Sequence, residues 1–210
     1  NDLNTARKDT TGFGGSYTSA LCAGGNVPPR KTETETWNGS SWTEVNDLNT
    51  ARSGLGGTGT VTSGIVAGGS VPPSTGATET WDGTSWTETS DLNTARGGGA
   101  MSGDSSTSAL LADGNDSKVV EQWDGTSWTE IAELNQERND IFGGIGNVTT
   151  AIVAGGYSPA PVSPVTTVNV ELWNGSSWTE INNLSTGRAS PGSQGSATSA
   201  MVQGGYTGPG

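Results

Sequence analysis

Arginine recurs along the chain at a near-constant spacing, and its guanidinium group is well suited to anion binding. Five of the six arginines end copies of one motif, which reads NDLNTAR at residues 1–7; these are Arg7, Arg52, Arg96, Arg138 and Arg188. Guanidinium groups bind carboxylate, sulfate or phosphate through paired hydrogen bonds. If the repeats close into a ring, these arginines would meet at one mouth of its channel. That arrangement would form a site for an anion or an acidic glycan.

The strict recurrence of these arginines favours a structural role instead, because a repeated structural task requires a repeated residue. Each arginine would then cap loop carbonyls or pair with a nearby glutamate, such as Glu44, Glu88, Glu130 or Glu180. A second set of carboxylates recurs two residues before a tryptophan, at Glu35, Glu79, Glu121 and Glu171. A glycosidase needs two unlike carboxylates facing each other across a pocket. We therefore expect the recurring glutamates to be structural or solvated, and the protein not to be an enzyme.

Other common catalytic and metal-binding patterns are missing from the sequence. Histidine is absent, and Cys22 is the only cysteine. His-based triads, His-ligated metals and internal disulfides are therefore excluded. Asp104, Asp113 and Asp116 form a loose cluster of the oxygen ligands that calcium prefers, but their spacing matches no known calcium loop. We expect no metal and no cofactor.

The composition limits the classes of partner. Lys and Arg number 9 against 21 Asp and Glu, which gives a net charge of −12. Such a surface repels nucleic-acid phosphates and anionic lipids. No apolar run approaches the length of a membrane span. We expect neither nucleic-acid binding nor membrane insertion. The start at Asn1 leads us to expect a processed product or a fragment.

The elements that must position these residues are tandem repeats. WNGSSWTE at residues 37–44 returns at 81–88, 123–130 and 173–180, and these copies hold all eight tryptophans. A small apolar run ending in Gly-Gly, such as IVAGG at 65–69, forms a third recurring element. The motifs divide the chain into repeats at 1–45, 46–89, 90–131 and 132–181, with a partial repeat at 182–210.

Each repeat is predicted to form four short antiparallel strands. The Asn-Gly or Asp-Gly pair between two tryptophans is a strong hairpin signal. No segment has a persuasive helical period. Four strands in each tandem repeat are typical of a propeller blade, so the sequence predicts an all-β β-propeller. The paired tryptophans could stack on sugars if they were exposed, but their recurrence favours a place in the core.

The repeats resemble the kelch family. The resemblance lies in Gly-Gly after an apolar strand, an aromatic residue followed by a tryptophan, and an arginine before the next repeat. Kelch repeats usually separate the two aromatic residues by more than the four residues found between Trp81 and Trp86, and the third repeat has Asp113 in place of a glycine. The resemblance implies a propeller with a partner-binding loop face. The repeats are also similar to those in predicted, often virion-associated, proteins of marine phages.

The loops after Gly-Gly vary most between repeats, and binding usually lies in variable loops on a rigid scaffold. Strand order predicts that they share a face with the arginine segments. Their candidate binding residues are Pro28, Pro29, Arg30, Pro72, Pro73 and Tyr157, with Tyr157 opening the loop at 157–165. Ordinary loop variation is the alternative interpretation.

Four full repeats and a half repeat predict a five-bladed ring with a reduced last blade. A fragment of a larger ring, or closure of the last blade by another chain, is the alternative. We expect a non-catalytic structural or binding module on a virion or extracellular surface, which recognises a protein subunit or a surface glycan. The alternatives are a free-standing lectin-like or protein-binding kelch module and, third, a carbohydrate-active enzyme.

Overall fold

A computed structural model describes residues 1–141, 144–159 and 165–208 of the chain. These residues form β-strands joined by turns and loops, as predicted. The strands make four four-stranded antiparallel sheets, a two-stranded fifth sheet and a short two-stranded ribbon. In the part of the chain that the structure describes, no helix is long and apolar enough to cross a membrane.

The sheets follow the repeats in order. The first sheet consists of β1 (Thr11–Ser16), β2 (Ser19–Ala23), β3 (Thr34–Trp37) and β4 (Trp42–Glu44). The second consists of β5 (Gly56–Thr60), β6 (Ser63–Ala67), β7 (Thr78–Trp81) and β8 (Trp86–Glu88). The third consists of β9 (Ala100–Ser105), β10 (Ser108–Ala112), β11 (Val120–Trp123) and β12 (Trp128–Glu130).

The fourth and fifth sheets complete the set. The fourth consists of β13 (Gly144–Gly146), β14 (Ala151–Ala154), β17 (Val170–Trp173) and β18 (Trp178–Glu180). Its loop carries the ribbon β15 (Tyr157–Ser158) and β16 (Val165–Thr166). The fifth sheet consists of β19 (Gly192–Ser196) and β20 (Ser199–Gln203).

The sheets stack side by side through their first strands. Strand β5 contacts β1 and β9, and β13 contacts β9 and β19. The first strands therefore follow one another around a common axis, as in a propeller, and the predicted fold class is confirmed. These first strands are crowded: a Cβ atom on Gly57 of β5 would lie 2.5 Å from Thr11 Oγ1 of β1. That approach explains why small residues dominate there.

The tryptophan pairs fill the space between sheets. Trp81 and Trp86 of the second sheet are buried against Leu21 and Ala23 of the first. The third and fourth sheets repeat this contact with their own pairs. The prediction of a tryptophan core is confirmed for these three sheets. The pair of the first sheet, Trp37 and Trp42, is only half-buried.

The hairpin between each tryptophan pair is held by its first turn residue. Asp82 Oδ1 accepts hydrogen bonds from the backbone N–H groups of Thr84 and Ser85, both at 2.8 Å. Gly83 follows with φ of +97°, a conformation that glycine adopts at little cost. Both Asn and Asp occur at this turn position in the four repeats, because either side chain can accept these bonds.

Candidate functional site

Four of the five recurring arginines are buried in ion pairs. Arg52 Nη2 lies 2.9 Å from Glu79 Oε1, and both side chains are fully buried. The equivalent pairs are Arg7–Glu35, Arg96–Glu121 and Arg138–Glu171, with side chains at most 1% exposed. Each arginine thereby ties the segment before the first strand of its sheet to the third strand of the same sheet.

The partners of these arginines are the glutamates that precede the tryptophans. The glutamates first suggested, Glu44, Glu88, Glu130 and Glu180, end the outer strands and are exposed to solvent. The buried carboxylates are also bound by the motif's own asparagine. For example, Asn49 donates its backbone N–H to Glu79 Oε2 at 2.7 Å and its side-chain amide to the same oxygen at 2.9 Å.

Because these four guanidinium groups are buried in ion pairs, they cannot bind an anion from solvent. Burial alone would raise the pKa of Glu35, but hydrogen bonds from Arg7 and Asn4 outweigh it and hold that pKa below its ordinary value. The charge of the arginine is therefore balanced inside the protein. The hypothesis of a channel mouth lined by Arg7, Arg52, Arg96 and Arg138 is corrected: the structure places these side chains in the interior.

Arg188, the fifth arginine of the series, has a different environment. Its side chain is half-buried, and Nη1 donates a hydrogen bond to the Gly204 carbonyl oxygen. Among the described residues, no carboxylate lies within 4 Å of it.

The variable loops lie beside the segments that follow the arginines, on one face of the molecule. Ser53 and Ser70 exchange backbone hydrogen bonds, with the Ser70 N–H to Ser53 oxygen distance at 2.8 Å. The same bridge joins Lys8 to Asn26, Asn139 to Tyr157 and Ala189 to Tyr206. We call this surface the loop face.

The proline and arginine candidates also lie on the loop face. Pro28, Pro29, Pro72 and Pro73 are exposed. Arg30 reaches the next sheet, where Nε donates to Ser53 Oγ and Nη2 to Ser70 Oγ, each at 3.2 Å. The loop of Arg30 therefore braces two adjacent sheets at the rim of the central axis.

A polar cavity of about 380 Å³ opens at the axis on the loop face. We call it the axial cavity. Its side-chain lining is made of hydroxyls, amides and carboxylates, from Asp9, Ser53, Ser70, Ser74, Asn115, Asn139, Asp140 and Ser190. Backbone from Gly54, Gly97 and Gly98 completes it.

A recurring backbone conformation builds this cavity. The second residue after each recurring arginine has a positive φ of 50–76°, and these residues are Asp9, Gly54, Gly98, Asp140 and Ser190. Backbone hydrogen bonds link them from sheet to sheet, including Gly54 N–H to Asp9 oxygen at 2.8 Å and Gly98 N–H to Gly54 oxygen at 2.9 Å. This position was not among the residues predicted from the sequence. Its signal was the restriction to Asp, Gly and Ser, of which Gly and Asp adopt this conformation most readily.

The axial cavity carries negative charge. Asp9 is exposed and Asp140 is half-buried at its lining. Burial, followed by the charges of Asp116 and Asp9, raises the pKa of Asp140. The mouth predicted to be cationic is therefore acidic, because the arginines point inward and the residues after them reach the axis.

Tyr157 is bonded through its backbone to Asn139, a residue of the axial cavity lining, and its ring pairs with a second tyrosine. Its backbone N–H donates to the Asn139 carbonyl oxygen at 2.8 Å. The rings of Tyr157 and Tyr206 lie 6.2 Å apart between centroids and are tilted by 49°. Tyr206, which was not among the predicted binding residues, is 53% exposed. Residues 160–164 of the Tyr157 loop lie outside the described residues.

The structure does not gather Asp104, Asp113 and Asp116 into a calcium site. Within the described residues, no group of three or more acidic, Cys or His side chains is placed to hold a metal ion. Asp113 is fully buried and accepts a hydrogen bond from the Gly114 N–H through Oδ1, while Oδ2 lacks a partner. Burial raises the pKa of Asp113 to about 8.

The comparisons with known proteins concern the fold. No protein-family model and no curated protein matches the chain. A solved structure titled "Structure of YjhT" is similar with a TM-score of 0.79 and 15% sequence identity. The alignment covers 98% of this chain and 79% of that one. This likeness supports the propeller architecture seen here.

Proposed function

We propose that the protein is a non-catalytic binding module that recognises a neutral surface glycan through its loop face. The observation that carries this proposal is the polar axial cavity, together with the Tyr157–Tyr206 ring pair on segments whose backbone is bridged to the lining segments. Ligand sites in proteins are concave and contain a few placed polar groups that fix orientation. A cavity of about 380 Å³ has the volume for one or two sugar units.

The lining of the axial cavity matches the chemistry of a sugar. Carboxylates such as Asp9 and Asp140 accept hydrogen bonds from sugar hydroxyls, and Ser and Asn side chains both donate and accept them. The apolar face of a sugar ring packs on an aromatic ring, which Tyr157 and Tyr206 supply. The two carboxylates repel sialylated or sulfated glycans, so the ligand is uncharged.

The resemblance of the repeats to kelch repeats and to those of phage proteins extends this proposal to the location of the protein. A virion or extracellular surface module would use the loop face to contact a host surface or a neighbouring subunit. A protein partner is the alternative ligand, and the exposed prolines at 28–29 and 72–73 would contribute rigid contact surface to it. Mass spectrometry of purified virions and of the secreted fraction would test the location.

A glycan array followed by calorimetry tests the ligand class. We expect binding to neutral glycans and at least a tenfold loss of affinity in Tyr157→Ala and Asp140→Asn, since each removes a direct contact. Asp82→Asn is the matched control, because Asn occupies the same turn position in the first and fourth repeats. The proposal is contradicted if neither Tyr157→Ala nor Asp140→Asn weakens the affinity, or if acidic glycans bind more tightly than neutral ones.

Glycoside hydrolysis at the same cavity is the second candidate function. Two carboxylates line it, and one of them, Asp140, has a raised pKa, as a general acid requires. Incubation with each array ligand, followed by mass spectrometry, separates the two functions. Intact ligand after prolonged incubation supports the binding module, and cleaved ligand supports the hydrolase.

A further inference from the structure

The loop after the second strand of the third sheet, residues 113–118, begins with a residue that its counterparts lack. The equivalent position is glycine in the other four repeats, at Gly24, Gly68, Gly155 and Gly204, and it is Asp113 here. A Cβ atom on Gly24 would lie 2.8 Å from the Arg52 carbonyl oxygen, closer than side chains normally pack. Because Asp113 has the same left-handed backbone, with φ of +69°, its side chain displaces the backbone beside it.

One backbone hydrogen bond of the other loops is replaced in this one. In those loops the second glycine donates its N–H to the carbonyl oxygen of the recurring arginine of the next repeat, at 2.8–2.9 Å for Gly25, Gly69 and Gly156. In the third repeat, Gly114 donates its N–H to Asp113 Oδ1 instead. The aspartate therefore takes over a bond that elsewhere ties the loop to the next sheet.

The loop is held to its neighbours through the side chain of Asn115. Its Oδ1 accepts the Gly97 N–H at 3.3 Å, and its Nδ2 donates to Ser74 Oγ at 3.1 Å. Among the described residues, the backbone bridge that joins 53 to 70 has no equivalent between Gly97 and Asn115. Asn115 and Ser74 both line the axial cavity. One side chain thus fixes the loop and forms part of the cavity wall.

The backbone of this loop is in an unfavourable conformation. Four consecutive residues have positive φ, namely Asp113 at +69°, Gly114 at +104°, Asn115 at +56° and Asp116 at +54°. Only one of them is glycine, and other residues adopt this region at a cost. Such a segment persists only while its surroundings enforce it. Loss of the contacts of Asn115 would let the loop relax.

The carboxyl group of Asp113 is poised to disturb these contacts. It is fully buried, and its Oδ2 has no partner. A buried carboxylate with an unpartnered oxygen is unfavourable, so the neutral acid fits this site better. An ionised Asp113 gains hydration only by moving out of the site, and the loop backbone must move with it.

Three charged groups act on this carboxyl. Arg138 and Arg96 favour the ionised form, but each is already paired with a glutamate, Glu171 and Glu121 respectively. Asp116 of the same loop opposes ionisation. Burial has the largest effect and raises the pKa of Asp113 to about 8.

We propose that the loop at 113–118 is a pH-sensitive switch in the wall of the axial cavity. While Asp113 is neutral, Asn115 stays bonded to Gly97 and Ser74. When Asp113 loses its proton, the carboxylate turns toward solvent, the loop relaxes and Asn115 leaves the wall. The switch is a property of the protein alone, and its effect on ligand binding rests on the proposed function.

Carbon-detected NMR of the whole protein between about pH 6 and pH 9 tests the switch, because carbon signals are not lost to amide exchange. We expect the Asp113 Cγ signal and the carbonyl carbons of Asn115 and Gly97 to titrate with one midpoint near pH 8. Asp113→Asn and Asp113→Gly should abolish the shifts at Asn115 and Gly97. Asp116→Asn is the matched control, which keeps the titration and lowers its midpoint because a like charge is removed.

Two NMR results overturn the switch. In the first, Asp113 Cγ titrates while Asn115 and Gly97 stay fixed. In the second, Asn115 and Gly97 still titrate in Asp113→Asn.

Calorimetry with the strongest neutral glycan from the array tests the effect on the ligand. We expect affinity about tenfold lower at pH 9 than at pH 6, because few molecules then keep the Asp113 proton, and no such loss in Asp113→Gly. A pH dependence that persists in Asp113→Gly assigns the effect to a lining carboxylate such as Asp140 and overturns the coupling. A glycan that binds at neither pH contradicts the proposed function, and the NMR titration then decides the switch by itself.

Discussion

At the residue scale, the buried arginine–glutamate pairs are structural anchors whose partners depend on each other. Removing one member leaves an uncompensated buried charge. We predict that Glu121→Gln or Arg96→Met lowers the free energy of unfolding by about 3–5 kcal/mol. The double variant should lose less than the sum of the two single losses, because no isolated charge remains.

Urea unfolding checks these values, and Arg188→Met provides the matched control. Arg188 belongs to the same motif but is half-buried without a carboxylate partner in the described chain, so its replacement should cost under about 1 kcal/mol. Equal losses at Arg96 and Arg188 would contradict the assigned role of the pairs.

The buried Asp113 predicts that the free energy of unfolding depends on pH. Its pKa is raised to about 8 by burial, whereas in the unfolded chain it ionises near its ordinary value. The folded protein therefore holds a proton that the unfolded chain releases between about pH 4 and pH 8. Over this window the free energy of unfolding falls as pH rises, by up to about 1.4 kcal/mol per pH unit.

Asp113→Asn removes this ionisation while keeping the shape of the side chain. We predict a flatter pH profile than in the unaltered protein and a higher free energy of unfolding at pH 8, measured by urea titration at several pH values. A variant with the same slope as the parent would show that Asp113 is not the group responsible.

The residue scale also shows where sequence reasoning reached its limit. The recurrence of Arg52 and its equivalents indicated a structural role, because each repeat needs the same tie. The sequence did not identify Glu79 as the partner, since pairing depends on which strand end lies next to the arginine segment. The acidic mouth was missed for the same reason: Asp9 and Asp140 reach the axis only after the chain turns at positive φ.

At the element scale, a hydrogen bond from a tryptophan indole N–H to a threonine hydroxyl joins the first sheet to the second and the second to the third. Trp128 donates to Thr78 Oγ1 at 3.0 Å, whereas the buried indole N–H of Trp178 lacks a partner. The position equivalent to Thr78 is Val120 in the third sheet, which packs in the same cluster as Trp178.

We predict that Val120→Thr raises the free energy of unfolding by about 1 kcal/mol, because its hydroxyl satisfies the Trp178 N–H. Thr78→Val should lower it by about 1–3 kcal/mol by leaving the Trp128 N–H unpaired. Thermal and urea unfolding of both variants measure this reciprocal effect. Loss of stability in both variants would contradict the assigned bond.

The strands themselves were the most predictable elements. The Asp-Gly and Asn-Gly hairpins and the runs into Gly-Gly are local signals, and the structure has strands on both sides of each. The burial of each tryptophan pair was harder to predict from the sequence than the strands. Trp42 has the same sequence context as Trp86, yet it is half-buried because its environment depends on the distant fifth sheet.

At the scale of the whole molecule, the first strands follow one another from β1 to β19, and the axial cavity lies at one end of that arrangement. Repeat counting predicted four full sheets and a reduced fifth. It could not predict the cavity of about 1000 Å³ that is lined by the first strands of all five sheets and reaches Trp42 and Met201, because its shape depends on how closely elements at opposite ends of the chain approach.

The central claim is that ligand recognition occurs at the axial cavity on the loop face. NMR shift mapping with the strongest neutral glycan from the array tests it most directly. We predict shifts at Asn139, Asp140, Ser190 and Tyr157, and none in the hairpins at 38–41 and 82–85 on the other face. Shifts confined to those hairpins would contradict the account.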